Sequence, residues 1–338
     1  MNRLIIDEVS MVRIDLIDAI DARLRSIRND PRPFGGVQVV MVGDFLQLPP
    51  VVEDGDRSLL HALGYRTPYA FSAHSLARMS VASITLDHVY RQEEREFVDL
   101  LNKVRLAQDA DEVTQILNAR CMRDHRPEFQ PLLLTPTRAA AERYNCQGLA
   151  KLPGPSSTFN AQIIGKLDIA KDRLPVPEHL ELRVGTRVMA AKTDLSGRWI
   201  NGSLGSVTRI QETDVFVRFD ASKQEHPVGI VGWDKVKQTW NKAEQKIEND
   251  VIASYRQLPL IHAWAITIHK AQGLTLADVR LDLDAGAFAP GQTYVALSRV
   301  RTMSGLSLTR PLRVSDLQAD PILLAFTEWV NSSKAATQ

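Results

Sequence analysis

Two short apolar runs that each stop on a carboxylate constrain this chain most. Leu4, Ile5 and Ile6 lead into Asp7 and Glu8; Val39, Val40, Met41 and Val42 lead through Gly43 into Asp44, with Gln47, Leu48, Pro49 and Pro50 following. Such runs read as buried strands of a parallel sheet, apolar on both faces, and ligands of parallel sheets bind beyond the carboxyl ends of the strands. The polar residues stand there. Adjacent carboxylates at a strand end can divide the work of nucleotide chemistry. Asp7 can hold a hydrated Mg²⁺ that bridges phosphates, while Glu8, displaced sideways by one position, orients or deprotonates the attacking water. The same residues also fit an acidic cap, with Glu8 and Ser10 covering the first N–H groups of a helix over residues 11–27.

Motifs further along decide between the two. They are residues 4–11 (LIIDEVSM), 43–50 (GDFLQLPP), 89–92 (VYRQ), 134–138 (LTPTR), 263–274 (AWAITIHKAQGL) and 291–299 (GQTYVALSR). In this order, and over nearly the whole chain, they resemble the superfamily 1 helicases of the branch that holds RecD and the PIF-type DNA helicases. The resemblance implies an α/β fold. Its parts would be a partial RecA-like motor domain over residues 1–82 and a complete RecA-like motor domain over 83–152 and 259–331. A small SH3-like β-barrel would be inserted over 153–258, ahead of a flexible tail over 332–338. The glycine-rich, β-rich runs at 186–190, 206–210, 215–219 and 229–233 fit such an insertion.

The resemblance also implies ATP and Mg²⁺ as cofactors and translocation 5′ to 3′ on single-stranded DNA. Duplex would be unwound at junctions of single and double strands, in DNA repair and recombination. Gln47, placed to hydrogen-bond a γ-phosphate or its water, takes the family's sensing role. Arg91 and Arg299 take the roles of arginine fingers, since a guanidinium contributed across a cleft neutralises charge on the transferring phosphate. Read by itself, Arg91 before Gln-Glu-Glu-Arg-Glu is equally a solvated helix-start residue. Thr267, His269 and Lys270, in what reads as a polar loop over 267–273, can hold backbone phosphates without reading bases and match the family's DNA-contact element. Thr137, opening an alanine-rich helix, suits a backbone phosphate or a plain N-cap. Asn145 on that helix reads as surface, Gln292 and Tyr294 as loop and core, and Trp199, Trp233 and Trp240 as core or groove lining.

A phosphate-binding loop needs glycines whose backbone N–H groups wrap the phosphates, then Lys-Ser/Thr opening a helix. The 338 residues contain no G-x-x-x-x-G-K-[ST] sequence, and the Gly165-Lys166 pair is followed by Leu167. In the resembled family that loop precedes the Asp-Glu strand. The chain therefore reads as a helicase that begins part-way through its first motor domain and is inactive as an ATPase alone. Two alternatives stay open: an ATPase-deficient DNA-binding or regulatory fragment, and half of a split helicase completed by a chain that supplies the loop. Without the neighbouring strand, residues 4–6 would keep an open edge and uncovered apolar faces, which favours partnership or aggregation. A dehydrogenase-type nucleotide site is set aside, because no G-x-G-x-x-G opens a first strand.

Composition adds bounds. The chain is long enough for two or three domains, and 44% hydrophobic with 24% charged residues is a globular composition. A formal net charge of +1 leaves no overall pull towards nucleic acid, so a DNA surface must be local. No run approaches the ~18 apolar residues of a membrane span and no signal-peptide pattern opens the chain, so a cytoplasmic protein with no membrane partner is expected. Cys121 and Cys146 read as reduced structural thiols. Amphipathic helices are expected over 13–28, 93–108, 112–122 and 316–330.

Overall fold

A computed structural model of the chain describes residues 2–122, 131–167, 169, 173–212, 214–241 and 246–335, with the side chains of 240–247 and 333–335 excepted. It is a mixed α/β structure in two compact units, Met1–Pro136 with Thr267–Gln338, and Thr137–Ile266.

The first unit opens with a βαβ arrangement. Strand β1 (Arg3–Ile6), helix α1 (Ile14–Arg28) and strand β2 (Gln38–Met41) follow in sequence, and the strands pair in parallel with Leu4 opposite Val39 and Ile6 opposite Met41. The helix buries Ile14 and Ile17 against Val9, Phe34, Val37 and Leu60. It starts later than the cap reading requires. Residues Val9–Met11 form a 3₁₀ turn, Glu8 is left-handed, and the residue that precedes the helix is Arg13, so neither Glu8 nor Ser10 caps it.

The runs read as strands apolar on both faces, with residues 4–6 left uncovered where a neighbouring strand is lacking, and Ile5 is 62% exposed. Its neighbours Leu4 and Ile6 face the α1 core and are half-buried, so one face of this two-stranded sheet is covered and the other is not. Among the described residues β1 pairs with β2 alone. Residues 81–90 carry neither helix nor strand and are exposed throughout, Ile84 and Leu86 included.

After helix α2 (Asp54–Ala62), helix α3 (Arg95–Leu106) buries Phe97, Leu100, Leu101 and Val104, the stripe its period predicts. Helix α4 (Ala110–Cys121) and strand β3 (Leu132–Thr135) follow.

The second unit begins with helix α5 (Arg138–Ala150). Strands β4 (Ser157–Asn160), β5 (Gln162–Gly165), β6 (His179–Leu182), β7 (Arg187–Ala190), β8 (Leu204–Gln211), β9 (Asp214–Phe219) and β10 (Glu225–Val228) come next. The hairpin β11 (Val231–Asn241) and β12 (Lys246–Gln257) and strand β13 (Leu260–His262) complete the set. A sheet ordered β10-β9-β8-β7-β13 packs Val188, Val207, Val215, Val217 and Phe219 around Trp199, which is buried and stacked on Phe219 at 4.9 Å. A second sheet is ordered β11-β12-β5. Its hairpin runs well past the expected 229–233. In the extension Lys237 stands opposite Asp250, and Val236 opposite Val251, both of these exposed. The side chain of Trp240 lies outside the described residues.

Strand β14 (Ala265–Thr267) leads into helix α6 (Ile268–Ala271), then strand β15 (Val279–Leu281), helix α7 (Gln292–Leu297), strand β16 (Leu306–Leu308) and helix α8 (Pro321–Ala335). In the first unit β15 lies between β3 and β16, all parallel, with Val279 opposite Leu132 on one side and Leu306 on the other. The expected polar loop over 267–273 thus begins as a helical turn. Helix α8 starts five residues later than the expected 316, because Asp316 closes a 3₁₀ turn and the helix opens on a proline, which fits its first position.

Candidate functional site

At the carboxyl end of β1, exposed Asp7 accepts a hydrogen bond from the N–H of Glu8 at 2.9 Å through Oδ1. Glu8 has φ 50° and ψ 41°, a left-handed conformation that costs a non-glycine residue ~1–3 kcal/mol and recurs at functional sites. The turn ends the strand's alternation, and the N–H of Val9 donates to Val42 O at 2.9 Å. Glu8 Oε2 accepts from Gln272 Nε2 at 2.8 Å, so the residue after α6 reaches the end of β1. Mg²⁺ keeps several waters and takes one or two carboxylates beside substrate phosphates. A single exposed carboxylate at a strand end fits that demand, and no group of three or more His, Cys, Asp or Glu is placed to hold a metal among the described residues.

At the end of β2, Asp44 gathers its surroundings. Its Oδ1 accepts from Leu46 N at 3.1 Å and from Arg105 Nη2 at 2.8 Å, and its Oδ2 accepts from Gln47 Nε2 at 3.2 Å. Gln47 is therefore held by its own turn, and Asp44 by a guanidinium from α3 whose other side lies 5.8 Å over the Tyr294 ring. Phe45 points into an aromatic cluster with Phe71 and Phe326 at 5.1 and 5.3 Å, which ties this turn to α8. Gly291 closes the other side. It has φ +74°, and a Cβ there would stand 2.2 Å from Gln47 O, so only glycine lets the chain before α7 lie on the Gln47 backbone.

Arg299 is 1% exposed. Its Nε donates to Val295 O and its Nη2 to Ser298 Oγ, both at 2.7 Å, and its Nη1 to Leu274 O at 3.4 Å. Burial, and then the charge of Arg91, push this guanidinium down to about 10, against the pull of Tyr294, Glu8 and Asp44. Arg91 is half-buried and donates from Nε to Thr275 Oγ1 at 3.1 Å. Gln92 fastens it, with Nε2 donating to Ser298 O and Val300 O at 3.0 Å. Arg299 thus senses the charges of Arg91, Glu8 and Asp44 within the first unit, and Gln47 is bonded to Asp44.

Thr267 precedes α6 and accepts from Lys270 N at 3.3 Å. His269 stacks on Phe288 at 6.4 Å and Lys270 is exposed. Thr137, in the second unit, caps α5 by accepting from Ala140 N at 3.2 Å. Asn145 is not the surface residue expected. Its Oδ1 accepts from Trp264 N at 3.1 Å and Ala265 N at 2.9 Å, and its Nδ2 donates to Ala265 O at 2.9 Å.

Sequence reasoning assigned no role to Asp44, Arg105, Gln92 or Gln272. Asp44, Gln92 and Gln272 lay inside quoted motifs, and Arg105 flanked the apolar stripe of α3, so position hinted at them while partners could not be seen.

The family model for PIF1-like helicases matches residues 1–115. The chain is 33% identical to the ATP-dependent DNA helicase PIF1 of Emericella nidulans, over 91% of this chain and 46% of that protein. It is 34% identical to the ATP-dependent DNA helicase PIF1 of Homo sapiens, over 96% of this chain and 48% of that protein. The chain spans about half the length of these curated relatives. Among solved structures, the Bacteroides Pif1 helicase in complex with ADP-AlF3 and ssDNA superposes with a TM-score of 0.78 at 33% identity, covering 98% of this chain and 76% of that one.

Proposed function

The chain belongs to the PIF1-like helicase family, and from that premise we propose that it forms the larger part of an ATP-driven motor on single-stranded DNA, moving 5′ to 3′ and opening duplex at junctions. The observation that carries this is the gathering of Glu8, Gln47, Arg91 and Arg299 in one compact unit, with the Glu8 carboxylate bonded to the residue that follows the Thr267–Lys270 turn.

Each group then has a task. Asp7 would hold Mg²⁺, which supplies charge neutralisation between the β- and γ-phosphates. Glu8 takes the proton of the attacking water, Gln47 hydrogen-bonds the γ-phosphate or that water, and Arg91 and Arg299 neutralise charge as it develops. Arg299 reaches a phosphate only by exchanging its bonds to Val295, Leu274 and Ser298 for phosphate oxygens. Thr267, His269 and Lys270, with Thr137, hold DNA phosphates. Residues 1–82 belong to one motor domain, 83–152 and 259–331 to the other, and 153–258 form the SH3-like barrel.

The 338 residues hold no phosphate-loop sequence, so on their own they are expected to turn over ATP far more slowly than a helicase. A split motor completed by another chain is the second reading. It is favoured by the edge of β1 that no strand pairs among the described residues, and by the exposed apolar residues of 81–90.

Binding to single strands tests the DNA path. Phosphate contacts predict affinity that falls steeply with salt and depends little on base sequence. Lys270→Ala should weaken binding uniformly across sequences and lower the log–log salt slope by about 1. Unchanged affinity in Lys270→Ala, by fluorescence anisotropy, would remove this turn from the path.

A further inference from the structure

Gln272 has no task in the preceding assignment, yet its side chain touches the general base. It closes α6, two positions after Lys270, and its Nε2 donates to Glu8 Oε2 at 2.8 Å. The other end of the amide, Oε1, is buried and has no hydrogen-bond partner. A buried acceptor left without a donor carries a desolvation penalty, and native structures tolerate one chiefly where a water, an ion or a catalytic role accounts for it. The next residue leaves room. Gly273 has φ +78°, and an ideal Cβ on it would lie 3.9 Å from Glu8 Oε1, so backbone rather than side chain borders that oxygen.

A water that attacks phosphorus has to aim a lone pair at it, so its two O–H groups must both be accepted on the protein side. Glu8 Oε1 offers one acceptor, since Oε2 is taken by Gln272. The orphan carbonyl of Gln272 offers the second. We propose that Gln272 is a positioning residue for ATP hydrolysis, its Nε2 fixing the Glu8 carboxylate and its Oε1 accepting the second proton of the attacking water. The proposal rests on Glu8 being the base. As the water oxygen bonds the γ-phosphorus and the bond to the β-phosphate oxygen breaks, the proton facing Glu8 passes to the carboxylate. The proton facing Gln272 stays on the new phosphate hydroxyl, and ADP leaves with the bond's electron pair. Because Thr267 caps the turn that Gln272 closes, the water is held by the same turn that carries Lys270.

The test is DNA-stimulated phosphate release by the chain joined at its N-terminus to a phosphate-loop segment of the family, the form expected to turn over. Gln272→Leu should lower kcat on the order of 10- to 100-fold while KM for ATP stays within about twofold, because the water loses orientation and the nucleotide keeps its contacts. A merely structural role would move KM for ATP together with kcat. Wild-type kcat in Gln272→Leu, or a KM for ATP that rises in step with the loss of kcat, would overturn the proposal. Glu8→Gln in the same protein separates the two assignments: retained turnover there means that Glu8 is not the base, whereas Glu8-dependent turnover with an indifferent Gln272 refutes only the positioning role.

Discussion

Asp316 collects more hydrogen bonds than any catalytic carboxylate in the chain, and its energetics can be read residue by residue. Arg310 donates to it from Nη1 at 2.8 Å and Nη2 at 3.0 Å, and the N–H groups of Arg313 and Ala287 donate at 2.8 and 3.3 Å. Burial pushes the carboxyl up, but the bonds from Arg310 and the backbone outweigh it and hold the group below its ordinary value. A depressed native value makes the unfolded state the better proton binder. The stabilisation is therefore fully present above the ordinary carboxyl pKa of ~3.9 and is lost as the pH falls through the lowered native value. Asp316→Ala should cost ~1.5–3 kcal/mol at pH 7, since the half-buried Arg310 guanidinium keeps only its bonds to Asp284 O and Pro311 O and the N–H groups of Arg313 and Ala287 lose their acceptor. In urea titrations the gap between the two proteins should narrow below about pH 4, and a gap that is the same at pH 7 and pH 3 would contradict the ion pair's role. At this scale the sequence was legible for position: Asp7 and Glu8 stand at the end of β1, and Gln47 in the turn after β2, as the apolar runs implied. It was silent where chemistry depends on a distant partner. Arg105 and Asp44 are 61 positions apart and Gln272 and Glu8 are 264 apart, and no local pattern announces such pairs.

Helix α5 shows how an element can be read correctly and its purpose missed. Its position follows from the alanine run and the Thr137 cap, but the polar residues on it look like solvent-facing surface. Asn145 instead grips the backbone at Trp264 and Ala265, and Gly148 lets the Trp264 ring lie against the helix. A Cβ on Gly148 would stand 2.4 Å from that ring. Gly148→Ala should therefore cost ~1–3 kcal/mol through overpacking, visible as a lower thermal midpoint and altered tryptophan emission. An unchanged midpoint would show that ring and helix separate freely. Period and turn chemistry revealed α1, α3 and the strands β7, β8 and β9 of the second unit, whereas β4, β5, β6, β10 and β12 had no counterpart in the sequence reading. The outer part of the β11–β12 hairpin escaped because its residues are mostly polar and its apolar Val236 and Val251 are exposed rather than set on a buried face, and α6 escaped because a four-residue helix has too short a period to detect.

For the molecule as a whole, motif order along the chain announced the α/β architecture, and the open edge and uncovered face expected of residues 4–6 are what β1 shows among the described residues. On the proposed assignment Glu8, Gln47, Arg91 and Arg299 activate water and neutralise charge, but phosphoryl transfer depends almost entirely on positioning and electrostatics around the phosphates themselves. The 338 residues hold no G-x-x-x-x-G-K-[ST] sequence, the pattern whose backbone amides and lysine cradle β- and γ-phosphates. The decisive measurement is DNA-stimulated phosphate release by residues 1–338, beside the same chain joined to a phosphate-loop segment, with Glu8→Gln as the control in each. The short chain should be several orders of magnitude slower, and the joined chain should turn over in a Glu8-dependent manner. Glu8-dependent turnover by residues 1–338 alone, at a rate comparable with the joined chain, would contradict this account.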